Sequence, residues 1–371
     1  MKYLARLLAV LLLVSGCSDS TLDLETSSNE PLEEGWTWVP YDSDLLQISG
    51  RANYESGEFV ILSWSASSIT IAFIGTALKL KTGTNNNVYL DVFVDGEETP
   101  SSLIKLTYSQ HGAPSIVPVV SNLPQDTHVV TLYKRSASNF GDWYVYGMHV
   151  FGNAEKELLP PKPKRKIEFV GNSITCGEDV LVPVLGQDFD LINESSFYSY
   201  AGQTARILHA EDHNICCGGH GIYVNLDGSK EQTLPIMYNK TSSESLSSDL
   251  WDHSKWHPDI VVINLGTNDF ASGKNDSTMF VKTTVDFVRK IRSYHADAKI
   301  VLLDGPMLHE EHLVKCRQYL DVVKATLEGE GIMGVYRFSF EPNQGFHPVK
   351  EKALVDAESL SVWIRSEFGW D

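Results

Sequence analysis

The stretch Asp259-Ile260-Val261-Val262-Ile263-Asn264-Leu265-Gly266-Thr267-Asn268-Asp269 decides the fold class. A strand with one wet face alternates apolar and polar residues. One that is apolar at nearly every position is covered on both faces, as the central strands of a parallel sheet are. Working outward, residues 166–170, 213–217 and 299–303 read as further short strands. Between and after them, residues 197–208, the row Val281, Val285, Val288 and Arg292, and residues 312–327 and 348–366 read as helices. Pro348 fits the first position of the last one. Strands alternating with helices predict a three-layer α/β/α domain with a parallel sheet, whose functional loops sit at the carboxyl ends of the strands.

Upstream the period changes to two. Leu78 and Leu80 alternate with Lys79 and Lys81, and Val88, Leu90, Val92 and Val94 alternate with Tyr89, Asp91 and Phe93 before an Asp95-Gly96 turn. Val130, Leu132 and Trp143-Tyr144-Val145-Tyr146 continue the pattern, which predicts an antiparallel β-sandwich. The expected organisation is a lipoprotein signal peptide over residues 1–16 and an acylated Cys17 with a flexible tether over 17–35. A β-sandwich domain over 36–155, a Pro/Lys linker over 156–165 and a catalytic α/β domain over 166–371 follow.

The signal is read from Lys2 and Arg6 ahead of the apolar run 7–14, which is too short to span a bilayer. Leu13-Val14-Ser15-Gly16-Cys17 resembles the bacterial lipobox, in which the cysteine after the cut is acylated, so membrane contact is expected through a lipid anchor only. The formal charge of −18 becomes −20 once Lys2 and Arg6 are removed with the signal, and no basic stripe interrupts it. Such a field repels polyanions, so nucleic acid is excluded as a partner and a neutral substrate suits the chain. Of the later cysteines, Cys216 and Cys217 read as core residues of a strand, Cys176 stands close enough in sequence to Ser173 to reach one of them, and Cys316 is unassigned.

Four loops follow predicted strands or open the last helix: Gly171-Asn172-Ser173-Ile174-Thr175, Gly218-Gly219-His220-Gly221, Gly266-Thr267-Asn268-Asp269 and Gly345-Phe346-His347-Pro348. Singly, each is an ordinary turn or cap. Together they supply what acyl transfer needs: a nucleophile beside a base, and donors aimed at the developing oxyanion. Ser173 offers the hydroxyl and its own N–H, Gly219 a second N–H, Asn268 a side-chain amide, and His347 a proton acceptor.

This order of Ser, Gly, Asn and His resembles the SGNH hydrolases, and with a sandwich domain in front it is most similar to carbohydrate esterase family 2. Further likeness lies in Ile174-Thr175-Cys176-Gly177, in Gly219-x-Gly221-Ile222 with Asn225, in Gly305-Pro306-Met307 and in the aromatic residue before His347. The resemblance implies a jelly-roll-like first domain and deacetylation of polysaccharides or oligosaccharides, with an acetylated glycan as partner and no cofactor or metal. Rival readings are an esterase or lipase on another acyl ester, and a surface glycan-binding lipoprotein with an inactive hydrolase domain.

Two departures stand out. Asn172 replaces the Asp usual before the nucleophile, and Gln344 and Gly345 stand where an Asp often precedes the histidine. The expectation is therefore a Ser–His dyad whose imidazole is held by a neutral acceptor, namely a backbone carbonyl, Asn343 or Gln344, with Glu341 a remote candidate. His309-Glu310-Glu311-His312 has its histidines three apart, which is wrong for a helical zinc motif and reads as a helix start. Trp143 and Tyr144 read by default as core residues, with stacking on sugars the alternative.

Overall fold

The computed structural model describes residues 34–108, 113–184, 186–243, 250–343 and 345–370. The signal, Cys17 and Gln344 lie outside the described residues. The first ten strands are β1 (Trp36–Pro40), β2 (Leu46–Ser49), β3 (Ala52–Asn53), β4 (Val60–Leu62), β5 (Ser68–Thr84), β6 (Val88–Val94), β7 (Ser102–Leu106), β8 (Ser115–Val120), β9 (Asp126–Lys134) and β10 (Trp143–Ala154). They form one antiparallel sheet around a single apolar cluster that includes Val39, Leu62, Phe73, Leu90, Leu132, Trp143 and Val150.

The long strand β5 makes this closure possible. Its first half pairs with β2 and β9, and its second half with β8 and β10. At the change of layer Gly75 lies opposite Gly152, and a Cβ on either would come within 2.1 Å of a carbonyl oxygen of the other strand. Only glycine permits that approach. The Asp95-Gly96 turn has positive φ at both residues, 54° and 77°, the geometry that matches a hairpin's twist.

The second domain carries β11 (Arg165–Gly171), α1 (Ser173–Cys176), α2 (Tyr200–Ile207), β12 (Ala210–Cys216), α3 (Leu234–Met237), β13 (Ile260–Asn264), α4 (Thr267–Ala271), α5 (Ser277–Tyr294), β14 (Lys299–Asp304), α6 (Glu310–Gly329), β15 (Val335–Ser339) and α7 (Lys350–Phe368). Its five strands run parallel in the order β12-β11-β13-β14-β15. Every residue of β13 is buried: Ile260 and Val262 pack with α2 and α7, while Val261 and Ile263 pack with α5 and α6. At roughly 1.5–3 kcal/mol for each large aliphatic side chain withdrawn from water, this two-sided burial holds the three layers together.

One expectation needs correction, and one strand went unread. The last helix starts at Lys350 with Val349 as its N-cap, so Pro348 precedes the helix instead of opening it. The edge strand β15 was not foreseen, because it is only half-buried and carries Arg337 in its middle. That guanidinium stays on the sheet by donating to the Leu302 carbonyl and to the buried Asp304 carboxylate. His309 and Glu310 do begin α6, as a helix start.

The two domains share buried contacts. Arg51 donates to Glu168 on β11 at 3.0 Å and to the Tyr238 carbonyl, and Tyr238 Oη donates to the same carboxylate at 2.5 Å. Trp64 joins the apolar cluster under β13 and donates to the Thr241 carbonyl. Arg135 spans from Asp91 to the carbonyls of Ile192 and Glu194. A buried ion pair that loses one partner leaves an uncompensated charge, so these contacts fix the sandwich against the α/β domain.

Candidate active site

Strand order changes direction between β11 and β13, and the crevice at such a switch point is where open α/β sheets bind ligands. Gly171 ends β11 beside Cys216 of β12 and Asn264 of β13, so three of the four sequence blocks leave the sheet at one level.

Ser173 is the first residue of the single-turn helix α1. Asn172 caps it by accepting from the Ile174 N–H at 3.1 Å, which answers the question of the missing Asp: a neutral side chain of the same shape makes the cap. Gly177 ends the turn with φ 82°, and both the Gly177 and Glu178 N–H groups donate to the Ser173 carbonyl. The hydroxyl oxygen lies 2.8 Å from His347 Nε2 across 174 positions of chain. Since the acceptor in that pair must be the ring nitrogen if the serine is to lose its proton, the imidazole proton belongs on Nδ1.

The Gly219 loop is built by its neighbours. Gly219 has φ 75°, and a Cβ there would meet nothing within 4 Å, so the space above it is open. Among the described residues its N–H donates to no protein acceptor. Ser173 N–H, at the first position of a helix, has no intrahelical partner either. Asn268 Nδ2 donates to the His220 carbonyl at 2.8 Å, which leaves the second hydrogen of the amide for a ligand. The sequence reading missed the part played by Asp269. Its buried carboxylate accepts from the N–H groups of Ile222, Tyr223 and Val224 at 2.8–3.0 Å and so anchors the loop on the turn that carries Asn268. Burial pushes the Asp269 carboxyl up to about 6 despite those three donors.

The β-sandwich also reaches the site. Asn139 Oδ1 accepts from the Gly218 N–H at 3.4 Å, and Ser138 donates to the Cys216 carbonyl at 3.1 Å. Cys176 and Cys216 form a disulfide, so the expectation of simple core packing holds for Cys217, not for Cys216. The bond ties the helix that Ser173 opens to the strand that feeds the Gly219 loop.

The surroundings of His347 differ from the expected dyad. Asn343 donates to the Phe346 carbonyl, and Glu341 is exposed at the surface. Instead two acids arrive from the turn after α1: Asp179 Oδ2 lies 3.4 Å from Nδ1, and Glu178 Oε1 lies 3.8 Å from Nε2. Burial raises the Glu178 carboxyl above the usual range, against the opposing pull of His347. Glu178, Asp179 and His347 also offer one ligand atom each within 4.8 Å of one another, as a divalent cation would need. Here the same atoms surround the imidazole that meets Ser173.

Comparison with known proteins fits this geometry. Residues 48–161 match the family model Carbohydrate esterase 2 N-terminal, and residues 169–335 match the GDSL-like Lipase/Acylhydrolase family. A solved family two carbohydrate esterase from Clostridium thermocellum, in complex with cellohexaose, superposes with a TM-score of 0.82 at 30% identity, covering 88% of this chain and 100% of that one. The chain belongs to carbohydrate esterase family 2.

Family members with curated names include the Cellulase/esterase CelE of Acetivibrio thermocellus, 33% identical over 339 residues, which cover 89% of this chain and 40% of that protein. This chain thus spans two fifths of the length of that relative. An Acetylxylan esterase / glucomannan deacetylase of Cellvibrio japonicus is 27% identical over 331 residues, covering 88% of this chain and 89% of that protein. Membership of the family carries an antiparallel sheet domain before a parallel-sheet SGNH domain, as the sequence pattern predicted.

Proposed function

We propose that the protein removes O-acetyl groups from polysaccharides or oligosaccharides through an acyl-enzyme on Ser173. The observation that carries this reading is the 2.8 Å contact of Ser173 Oγ with His347 Nε2, beside a Gly219 whose Cβ position is open space. His347 takes the serine proton as Oγ attacks the acetyl carbon. The N–H groups of Ser173 and Gly219 and the Asn268 amide receive the oxyanion. The carbon–oxygen bond to the sugar then breaks, and the sugar oxygen takes the proton from Nε2. Water, deprotonated by the same nitrogen, releases acetate and restores the serine. Acetate release from a panel of acetylated xylan, glucomannan and cello-oligosaccharides tests the reading. It is expected alongside a preference for acetyl over long acyl chains on nitrophenyl esters. Activity confined to long acyl chains would replace it with a lipase.

The chain is further proposed to act at a bacterial cell envelope or surface, held by acyl groups on Cys17. The support is the lipobox-like Leu13 to Cys17 sequence, and among the described residues no helix is long and apolar enough to cross a membrane. Mass spectrometry of the native N-terminus should find lipid on Cys17, and Cys17→Ser should move the protein to the soluble fraction. An unmodified terminus starting elsewhere would reject the anchor.

A further inference from the structure

We propose that Asp179, from the turn directly after the nucleophile's own helix, is the carboxylate that orients His347, so the base is held from the Ser173 block and not from its own. The inference rests on the Ser173–His347 reading. Three observations carry it. Asp179 Oδ2 faces Nδ1 at 3.4 Å, the side of the ring away from Ser173, and ligand-free sites often show such contacts long before substrate tightens them. Asp179 Oδ1 is buried with no hydrogen-bond partner among the described residues, so no competing donor draws the carboxylate off the ring. Finally, the turn is fastened to the histidine's segment: Lys350 N–H, three residues past His347, donates to the Val180 carbonyl at 2.8 Å.

The path of the chain explains how an acid gets there. Gly177 reverses α1, and Asp179 itself takes a left-handed conformation with φ 57°. Among side-chain-bearing residues Asp and Asn accept that region most readily. The side chain therefore turns back over the active-site edge. In the acylation step the Nδ1 proton stays on the ring, shared with Asp179, while Nε2 gains the serine proton. The carboxylate fixes the tautomer beforehand and stabilises the imidazolium during the step. Asp179 is thus a positioning residue and does not touch the reacting atoms.

The charged groups around the ring are Asp179 on the Nδ1 side and Glu178 on the Nε2 side. His309 at the start of α6 stands against Gly345, and the Lys350 ammonium is drawn away over the Tyr198 ring at 4.1 Å. Asp179→Asn keeps size and left-handed tolerance while removing the charge, which makes it the decisive variant. Its kcat on an acetyl ester is expected to fall by roughly 10³-fold or more with KM little changed. The acid limb of its pH–rate profile should move to lower pH, because the imidazolium has lost its nearest counter-charge and forms less readily. Glu341→Gln, an exposed acid nearer to His347 in sequence, is expected to leave kcat within about tenfold of the wild type. A folded Asp179→Asn protein within about tenfold of wild-type kcat, or a large loss with an unmoved acid limb, overturns the positioning role. If Ser173→Ala is inactive in the same assay, that failure belongs to Asp179 alone and leaves the esterase reading intact.

Discussion

Ser173→Ala is expected to abolish ester hydrolysis, with kcat falling by roughly 10⁴–10⁶-fold, the range seen when a serine hydrolase loses its nucleophile. The hydroxyl is placed to form an acyl-enzyme: it meets His347 Nε2 at 2.8 Å, at the sheet edge that also carries the Gly219 loop with its open Cβ position. Stability should change little. Among the described residues the Ser173 hydroxyl has no hydrogen-bond partner besides the histidine, while α1 is held by the Asn172 cap, the Gly177 turn and the Cys176–Cys216 bond. Steady-state assay with an acetyl ester, beside a thermal melt, separates the two effects. A natively folded Ser173→Ala protein with full activity would remove the whole assignment of the site.

Asn268→Ala is expected to lower kcat by roughly 10²–10³-fold, the usual cost of one oxyanion donor, with a much smaller change in KM. The variant also frees the His220 carbonyl, and a loosened Gly219 loop could mimic a lost donor. The balance of bonds argues against that. Three N–H groups on the loop donate to the Asp269 carboxylate, and bonds to an ionised acceptor are about twice as strong as the single neutral bond given up. The loop should therefore stay in place while the donor goes. A raised KM with unchanged kcat would make Asn268 a substrate-binding residue instead.

The sequence by itself determined the class of each domain and the four blocks of the site. Period-two alternation and all-apolar strands are local patterns, written residue by residue in segments such as 88–94 and 259–265. A parallel sheet then delivers every strand's carboxyl end to one edge, so the sequence alone groups Ser173, Gly219 and Asn268. Asn172 could likewise be read as a cap, because capping depends on the next two residues only. The edge strand β15 escaped, since most of its residues are only part-buried and Arg337 interrupts the apolar run.

What the tertiary structure alone decided are the contacts between segments far apart in the chain. With no acid just upstream of His347 the sequence predicts a neutral acceptor beside it, yet Asp179 stands there from 168 positions earlier, delivered by a one-turn helix and a left-handed turn that no periodicity announces. The choice of Cys216 over Cys217 for Cys176 depends on which way the end of β12 faces α1. The Asn139 contact that backs the Gly219 loop depends on how the sandwich docks through Arg51, Trp64 and Arg135. Each of these is a long-range pairing that forms only when two independently encoded elements meet, so its signal lies in the packing and not in either stretch of sequence.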